Sequence, residues 1–344
     1  MLRAIEHIGA ATWIDTMANI AKMEPVLQAA QKSGGLPMFV IYDLPNRDCA
    51  ALASNGEILC EDSTCAQGLN TYKTEYVDKV VAILAKYPDV KTVVIIEPDS
   101  LPNLATNLGT PKCSEAQKAY KDGVAYTLKA MHALGHVTAY LDAAHGGWLG
   151  WDNNLRLVSE IFKEVLTQAG GNEVIRGFVT NTANYQPLGS TTSTADPCKL
   201  KNQYNFAIDE VHFIQLLDKA LNQYAGISGM HYITDTSRNG VTDERGDCSN
   251  WCNIKGAGLG RRPSAAVSDL GLSNLDAVVW VKTPGESDGT SDRNAKRHDE
   301  HCNSSDSYIP APEAGQWSED IFIMLAQNAV PPIQPASDPS PFLQ

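Results

Sequence analysis

The sequence lacks the features that mark a membrane-spanning or nucleic-acid-binding protein. None of its apolar runs is long enough to cross a bilayer. Its net charge of −13 comes without any basic cluster, so we expect neither nucleic acid nor an anionic membrane surface as a partner. With 344 residues, 43% hydrophobic and 19% charged, the chain has the composition of an ordinary globular protein.

Two motifs that would indicate a cofactor are also missing or incomplete. The glycine-rich segment 256–260 follows no predicted strand and lacks the spacing of a phosphate-binding turn, so we interpret it as a surface turn. Segment 298–302 contains ligand-type residues but no helix to fix them, so we interpret it as a solvated charged loop rather than a metal site. We therefore expect no cofactor and no metal.

Eight cysteines without a CxxC spacing are more typical of a secreted, extracellular protein with disulfides than of a cytosolic enzyme. Asn303 would then be a usable glycosylation site. Because Met1 leads directly into a helical pattern, we expect the chain to come from a longer secreted precursor. The proline-rich segment 331–344 resembles a linker stub and points to a fused binding or docking module.

Short β-prone apolar runs that end in polar residues alternate with helical patterns. The predicted strands are 11–15, 37–43, 92–99, 137–142, 175–181, 230–235 and 276–282. The predicted helices are 20–31, 69–87, 115–134, 155–169, 206–224 and 317–328.

This alternation predicts parallel strands with right-handed crossovers. Seven units without a composition break favour one α/β domain over residues 1–330, a closed seven-stranded parallel β/α barrel, with a doubly wound open sheet as the alternative. Barrel active sites lie at the C-terminal strand ends. The polar residues at those ends are therefore expected to form one site: Asp15, Asp43, Asp99, Asp142, Asn181, Asp235 and Lys282.

Two carboxylates stand out at neighbouring strand ends. Pro98 stops a β-branched strand and leaves Asp99 at its end, and Asp48 follows the previous strand. Acid–base hydrolysis needs such a pair, because one carboxyl must stay protonated while the other is ionised. The alternatives are that Asp99 only caps a helix and that Asp48 only pairs with Arg47.

Tryptophans at strand ends and in loops favour a carbohydrate ligand. Trp13, Trp148, Trp151 and Trp251 could offer flat apolar faces to pyranose rings, and the glycines between 146 and 150 would allow close approach. Trp280, inside a predicted strand, is expected in the core.

Five strings of the sequence resemble glycoside hydrolase family six. They are 42–51 (YDLPNRDCAA), 96–101 (IEPDSL), 140–145 (YLDAAH), 251–253 (WCN) and 281–289 (VKTPGESDG). The resemblance spans nearly the whole chain, from Trp13 to Pro331. It implies a distorted seven-stranded, TIM-like β/α barrel. It also implies inverting hydrolysis of the β-1,4-glucosidic bonds of cellulose and cello-oligosaccharides.

The resemblance implies a role for each carboxylate. Asp99 matches the proton donor to the glycosidic oxygen. Asp48 matches the carboxylate that keeps this proton in place and receives one through a water relay. Asp288 matches the other carboxylate proposed as the base.

Further positions follow from the same resemblance. Tyr42 matches the residue that distorts the sugar at the cleavage point, Ser54 matches the one that positions the water, and Arg47 adjoins this catalytic group. The implied sugar-contacting residues are Trp13, Asp15, Asp142, His145, Trp148, Asn184, Trp251, Lys282 and Glu286. The family disulfides match Cys49 with Cys113 and Cys252 with Cys302. For the other four cysteines we predict Cys60–Cys65 and Cys198–Cys248.

Two long segments, 49–65 and 282–316, resemble the loops that roof the cleft in the cellobiohydrolase branch of the family. We therefore expect a monomeric enzyme that releases cellobiose from non-reducing chain ends. The alternative is an open-cleft endoglucanase. A carbohydrate-binding protein without activity is disfavoured, since Asp48, Asp99 and Asp288 are all present.

Overall fold

The fold is a sheet of seven parallel strands in which each strand pairs with its neighbour in sequence. The computed structural model describes residues 5, 7–62, 64–189, 204–242, 244–247 and 249–334. The strands are β1 (Thr12–Ile14), β2 (Met38–Ile41), β3 (Thr92–Ile96), β4 (Val137–Asp142), β5 (Gly177–Thr180), β6 (His231–Asp235) and β7 (Leu275–Val279). The predicted number, order and direction of the strands are confirmed.

The sheet curls into a half-barrel whose two edge strands are not joined by a ladder. In the described chain, the edges meet through the Ala11 N–H, which donates to the Trp280 carbonyl at 2.9 Å. The Trp13 indole N–H also donates to the Val281 carbonyl at 2.9 Å. The expectation of a closed barrel was therefore wrong, whereas the distorted seven-stranded barrel is confirmed.

The α-helices connect successive strands along the chain, except the last one, which follows β7. The α-helices are α1 (Met23–Ser33), α2 (Ala66–Thr71), α3 (Asp78–Leu84), α4 (Ser100–Thr106), α5 (Pro111–His132), α6 (Gly146–Leu149), α7 (Asp152–Ala169), α8 (Glu210–Ala220) and α9 (Glu319–Gln327). Two π-helical segments, Tyr72–Val77 and Leu221–Ala225, continue α2 and α8. Short 3-10 helices cover Ala18–Lys22, Asn172–Val174, Ser268–Leu270 and Glu300–Asn303. No helix in the described ranges is both long and apolar enough to span a membrane.

Helix boundaries follow local capping rather than periodicity alone. The sequence pattern predicted a helix from residue 206, but α8 begins after Asp209, whose carboxylate accepts a hydrogen bond from the His212 N–H. Strand β3 is buried at every position. Complete burial is expected for a strand covered by helices on one side and by the barrel interior on the other.

Segment 256–260 is packed inside the molecule, so its interpretation as a surface turn was wrong. Ala257 and Leu259 are fully buried, and the Leu259 N–H donates to the Leu325 carbonyl at 2.9 Å. A Cβ atom at Gly258 would lie 2.0 Å from the Asn328 carbonyl oxygen. The glycine thus permits close backbone contact with the end of α9.

The described residues contain three disulfides. They join Cys49 to Cys113, Cys60 to Cys65 and Cys252 to Cys302, which are three of the predicted pairs. The fourth predicted pair, Cys198–Cys248, lies outside the described residues. Trp280 is 2% exposed and packs with residues of α9, as expected for a core tryptophan, although it lies just after β7.

Candidate active site

A cleft of about 620 Å³ opens at the C-terminal ends of the strands. The predicted site residues that line it are Trp13, Asp15, Tyr42, Arg47, Asp48, Ser54, Asp99, His145, Trp148, Asn184, Trp251, Lys282, Glu286 and Asp288. Asp142 does not line the cleft; it is 1% exposed. A second cavity of about 490 Å³, beside Arg176 and His231, contains none of the predicted site residues.

Both candidate carboxyls sit on strained turns. Asp48 has φ 55° and Asp99 has φ 63°, both in the left-handed region that few residues other than glycine adopt. Glu97, between β3 and Asp99, also has a positive φ of 49°. Such strain persists where the surroundings enforce it and is common at functional sites.

Asp99 does not use its side chain to cap α4. It occupies the N-cap position, but its carboxyl makes no capping hydrogen bond. Instead, the Ser100 hydroxyl donates to the Glu97 carbonyl at 2.7 Å, and the Asp99 N–H donates to Asp142 Oδ2 at 3.0 Å. The capping alternative therefore fails, and the Asp99 carboxyl remains available to the cleft.

The surroundings of Asp99 favour its protonated form. Burial raises the pKa of Asp99 well above its usual value, and the nearby charges of Asp142 and Asp48 raise it further. Burial also raises the pKa of Asp142 to about 6, against the hydrogen bonds from the amides of Asp99 and Ala144. An acid held neutral in this way can donate a proton at neutral pH.

Arg47 holds the loop that carries Asp48, but it does not neutralise Asp48 by direct contact. Its guanidinium lies 3.5 Å from Asp43, and it donates to the carbonyls of Ser54 at 2.8 Å and Tyr42 at 2.6 Å. Burial raises the pKa of Asp48, whereas Arg47 lowers it. The structure therefore contradicts the alternative that Asp48 serves only as the ion partner of Arg47.

Asp288 is held in its ionised form at the cleft. Arg238 Nη1 lies 2.8 and 2.7 Å from its two oxygens, and the Asn253 N–H donates to it at 2.8 Å. Lys282 Nζ is 3.8 Å away. Burial raises the pKa of Asp288, but Arg238 and Lys282 outweigh this effect, so the pKa lies below its usual value. A carboxylate so well paired binds a proton weakly.

The side chains of Trp13 and Trp148 are held by hydrogen bonds from their indole N–H groups. Trp148 donates to Thr106 Oγ1 at 2.8 Å, and Trp13 donates to the Val281 carbonyl. Tyr42 meets Trp13 edge-on, with ring centroids 5.5 Å apart. Burial lowers the pKa of His145 to about 3, so its ring is neutral. These fixed aromatic surfaces suit the apolar faces of sugar rings.

Only some of the polar strand ends face the cleft. Asp15, Asp99 and Lys282 line it, but Asp43 and Asn181 are fully buried and Asp235 is 1% exposed. The Asp235 carboxylate accepts hydrogen bonds from the amides of Ala183, Ser237 and Lys282, at 2.9, 2.9 and 3.0 Å. The expectation that all these strand ends form one site was therefore wrong, because several of them satisfy loop amides beneath it.

Sequence reasoning missed Arg238, the partner of Asp288. Arg238 is 1% exposed, and its guanidinium lies 4.4 Å from the centroid of the Tyr185 ring. Its only signal in the sequence is a charged residue three positions after the end of β6. An arginine there is equally compatible with a solvated loop.

The loops after β2 and β7 are joined across one side of the cleft. The Leu52 N–H donates to Asp299 Oδ2 at 2.9 Å, and Ala53 packs against the disulfide of Cys252 and Cys302. Asp299 is 6% exposed, and His301 lines the cleft. The interpretation of 298–302 as a solvated loop was therefore wrong. Within the described residues, no group of three or more His, Cys, Asp or Glu side chains is placed to hold a metal ion.

A protonated carboxyl and an ionised carboxylate at the end of a parallel half-barrel, in a cleft walled by tryptophans, define an acid–base glycoside hydrolase. Comparison with known families agrees. Residues 1–329 match the model of the glycosyl hydrolases family 6, and the chain belongs to that family.

The chain is similar to proteins named as exoglucanases and cellobiohydrolases. The chain is 45% identical to Exoglucanase 3 of Agaricus bisporus, over 95% of this chain and 71% of that protein. It is 43% identical to 1,4-beta-D-glucan cellobiohydrolase CEL6C of Podospora anserina, over 96% and 79%. It is also similar to two solved structures. One is CcCel6C of Coprinopsis cinerea, at 40% identity, coverage of 97% and 89%, and TM-score 0.88. The other is cellobiohydrolase II of Humicola insolens with glucose and cellotetraose, at 38%, 96% and 89%, and 0.86.

Proposed function

We propose that this enzyme hydrolyses the β-1,4-glucosidic bonds of cellulose and cello-oligosaccharides with inversion and releases cellobiose from non-reducing chain ends. The observation that carries the proposal is the contrast between the carboxyls of Asp99 and Asp288, one held protonated and the other ionised in the same cleft. The names of the relatives from Agaricus bisporus and Podospora anserina support the substrate and the mode of cleavage. Three disulfides in the described chain support a secreted enzyme.

In this mechanism, Asp99 transfers its proton to the glycosidic oxygen as the bond to the anomeric carbon breaks. A water near Ser54 attacks that carbon from the opposite face, and its proton passes to Asp48, whose pKa burial raises. Asp288 stays ionised and stabilises the positive charge that develops on the sugar. Tyr42 lines the same cleft, and its hydroxyl stays protonated because burial and the charge of Asp48 raise its pKa.

The anomeric form of the first product tests the mechanism. With cellohexaose, proton NMR should show α-cellobiose first, because direct attack by water inverts the configuration. β-Cellobiose as the first product would contradict the proposal. Products of mixed length in the α form would retain the chemistry but indicate the alternative, an open-cleft endoglucanase.

The loops after β2 and β7 are joined across one side of the cleft, which supports cleavage from chain ends. Loops that cover a cleft prevent the middle of a cellulose chain from entering it, so that the chain must enter by its end. We predict that Asp299→Ala makes cleavage more internal, because it removes the acceptor of the Leu52 N–H. The measurement is the loss of viscosity per reducing end formed on a soluble cellulose derivative, which should rise.

The matched control is Asp292→Ala. Asp292 lies on the same loop but is exposed and accepts a hydrogen bond from the Asn294 N–H of its own turn. It should leave the ratio unchanged. An unchanged ratio in Asp299→Ala, with turnover of cellohexaose retained, would show that this contact does not decide the mode of cleavage.

A further inference from the structure

Trp317 is a large exposed aromatic residue next to the cleft that the mechanism does not use. Its side chain is 53% exposed. It precedes Ser318, the N-cap of α9, and its ring packs against Phe322 with centroids 5.0 Å apart. This contact is a hydrophobic staple, which fixes the entry of the chain into a helix.

The backbone places Trp317 on the same face as a cleft residue. The Ser287 N–H donates to the Gln316 carbonyl and the Ser318 N–H donates to the Gly285 carbonyl, both at 2.8 Å. These two bonds flank Glu286 and Trp317, which form an antiparallel bridge. Glu286 and Trp317 are therefore a non-hydrogen-bonded pair. In such a pair, the two side chains project from the same face, with Cβ atoms about 4.5–5.5 Å apart. Glu286 lines the cleft, so Trp317 lies beside a cleft residue on the same face of the bridge.

The indole ring lies against the backbone at Gly285. A Cβ atom at Gly285 would lie 2.6 Å from Trp317 Cζ3 and 2.7 Å from Cη2. The glycine, with φ 100°, therefore lets the ring approach the backbone closely. The contact with Gly285 involves the Cζ3 and Cη2 atoms of the ring, and Trp317 nevertheless remains 53% exposed.

A staple alone does not account for this arrangement. It needs only an apolar side chain, and a leucine would supply one. A half-exposed tryptophan leaves much apolar area in water, which is unfavourable unless a ligand covers it. The strip that carries Trp317 is continuous with the cleft, because Ala314 and Gly315 on the same strip line the cleft wall.

We propose that Trp317 is an outer sugar-binding platform, on which a glucosyl ring of the β-1,4-glucan chain stacks beyond Glu286. The inference rests on the proposed function, because the ligand is the same chain that fills the cleft, continued outward. Indole faces favour the apolar face of a pyranose ring, and the neighbouring Glu286 carboxylate can accept hydrogen bonds from its hydroxyls.

The test measures affinity against chain length in the Asp99→Asn background, by calorimetry with cellobiose through cellohexaose. Trp317→Leu keeps the staple and removes the aromatic face, whereas Trp317→Tyr keeps both. We expect Trp317→Leu to weaken binding of the longer oligosaccharides by about two- to tenfold and to leave cellobiose binding unchanged. Trp317→Tyr should stay close to the parent.

Equal affinities of Trp317→Leu and the parent at every length would overturn the proposal. A uniform loss that includes cellobiose would also overturn it, because the ring would then act by holding Glu286 in place. Thermal melting of both variants checks that α9 remains folded. If the parent binds no oligosaccharide at all, the proposed function itself fails, and the platform fails with it.

Discussion

Asp99→Asn should lower the turnover of cellohexaose by about 10²- to 10⁴-fold, the usual contribution of general acid catalysis. Asparagine has the same shape as the protonated acid but cannot transfer a proton to the leaving oxygen. The hydrogen bond from the residue 99 amide to Asp142 is a backbone contact and is retained. Binding of cello-oligosaccharides, measured by calorimetry, should therefore be nearly unchanged. Equal loss of binding and turnover would mean that Asp99 is a structural acid.

Asp142→Asn tests whether the charge of Asp142 controls the protonation of Asp99. Asp142 Oδ2 accepts both the Asp99 and the Ala144 amides at 3.0 Å, and the asparagine oxygen can do the same. The substitution removes a charge that raises the pKa of Asp99. Because the active form has Asp99 protonated, activity is lost as pH rises through that pKa. The alkaline limb of kcat/KM should therefore move to lower pH, and an unmoved limb would show that Asp142 does not control the proton.

The acids could be found from sequence because each lies in a local pattern. Asp99 follows an apolar β-branched run that Pro98 ends, and Asp48 lies in a long string typical of one family. The half-barrel edge could not be found in this way. Whether β1 and β7 pair depends on side chains from the whole interior, and the contact from Ala11 to Trp280 leaves no periodic signal.

Burial within loops was the other feature that the sequence did not reveal. Segments 256–260 and 298–302 are polar or glycine-rich and show no helical or strand period, so the sequence predicts surface segments. In the structure, Gly258 is packed against α9 and Asp299 is bonded to the loop after β2. Such burial depends on distant partners, which local patterns do not encode.

The second large effect is expected at Arg238. Arg238→Met should lower the free energy of unfolding by about 3–5 kcal/mol, because it leaves the buried Asp288 carboxylate without its guanidinium partner. Thermal and denaturant unfolding provide the measurement. Activity at neutral pH should also fall, because burial then raises the pKa of Asp288 with less opposition and the ionised form becomes rarer.

The double variant Arg238→Met with Asp288→Asn separates the two causes of instability. If the stranded charge is responsible, neutralising it should restore part of the lost stability. If the double variant is as unstable as Arg238→Met, the loss comes from the packing of the guanidinium on Tyr185, 4.4 Å from the ring centroid. Arg238→Lys keeps the positive charge but loses the planar guanidinium, so it should fall between the parent and Arg238→Met. Unchanged stability in Arg238→Met would mean that water reaches Asp288 in solution, and the ionised state would then not depend on this pair.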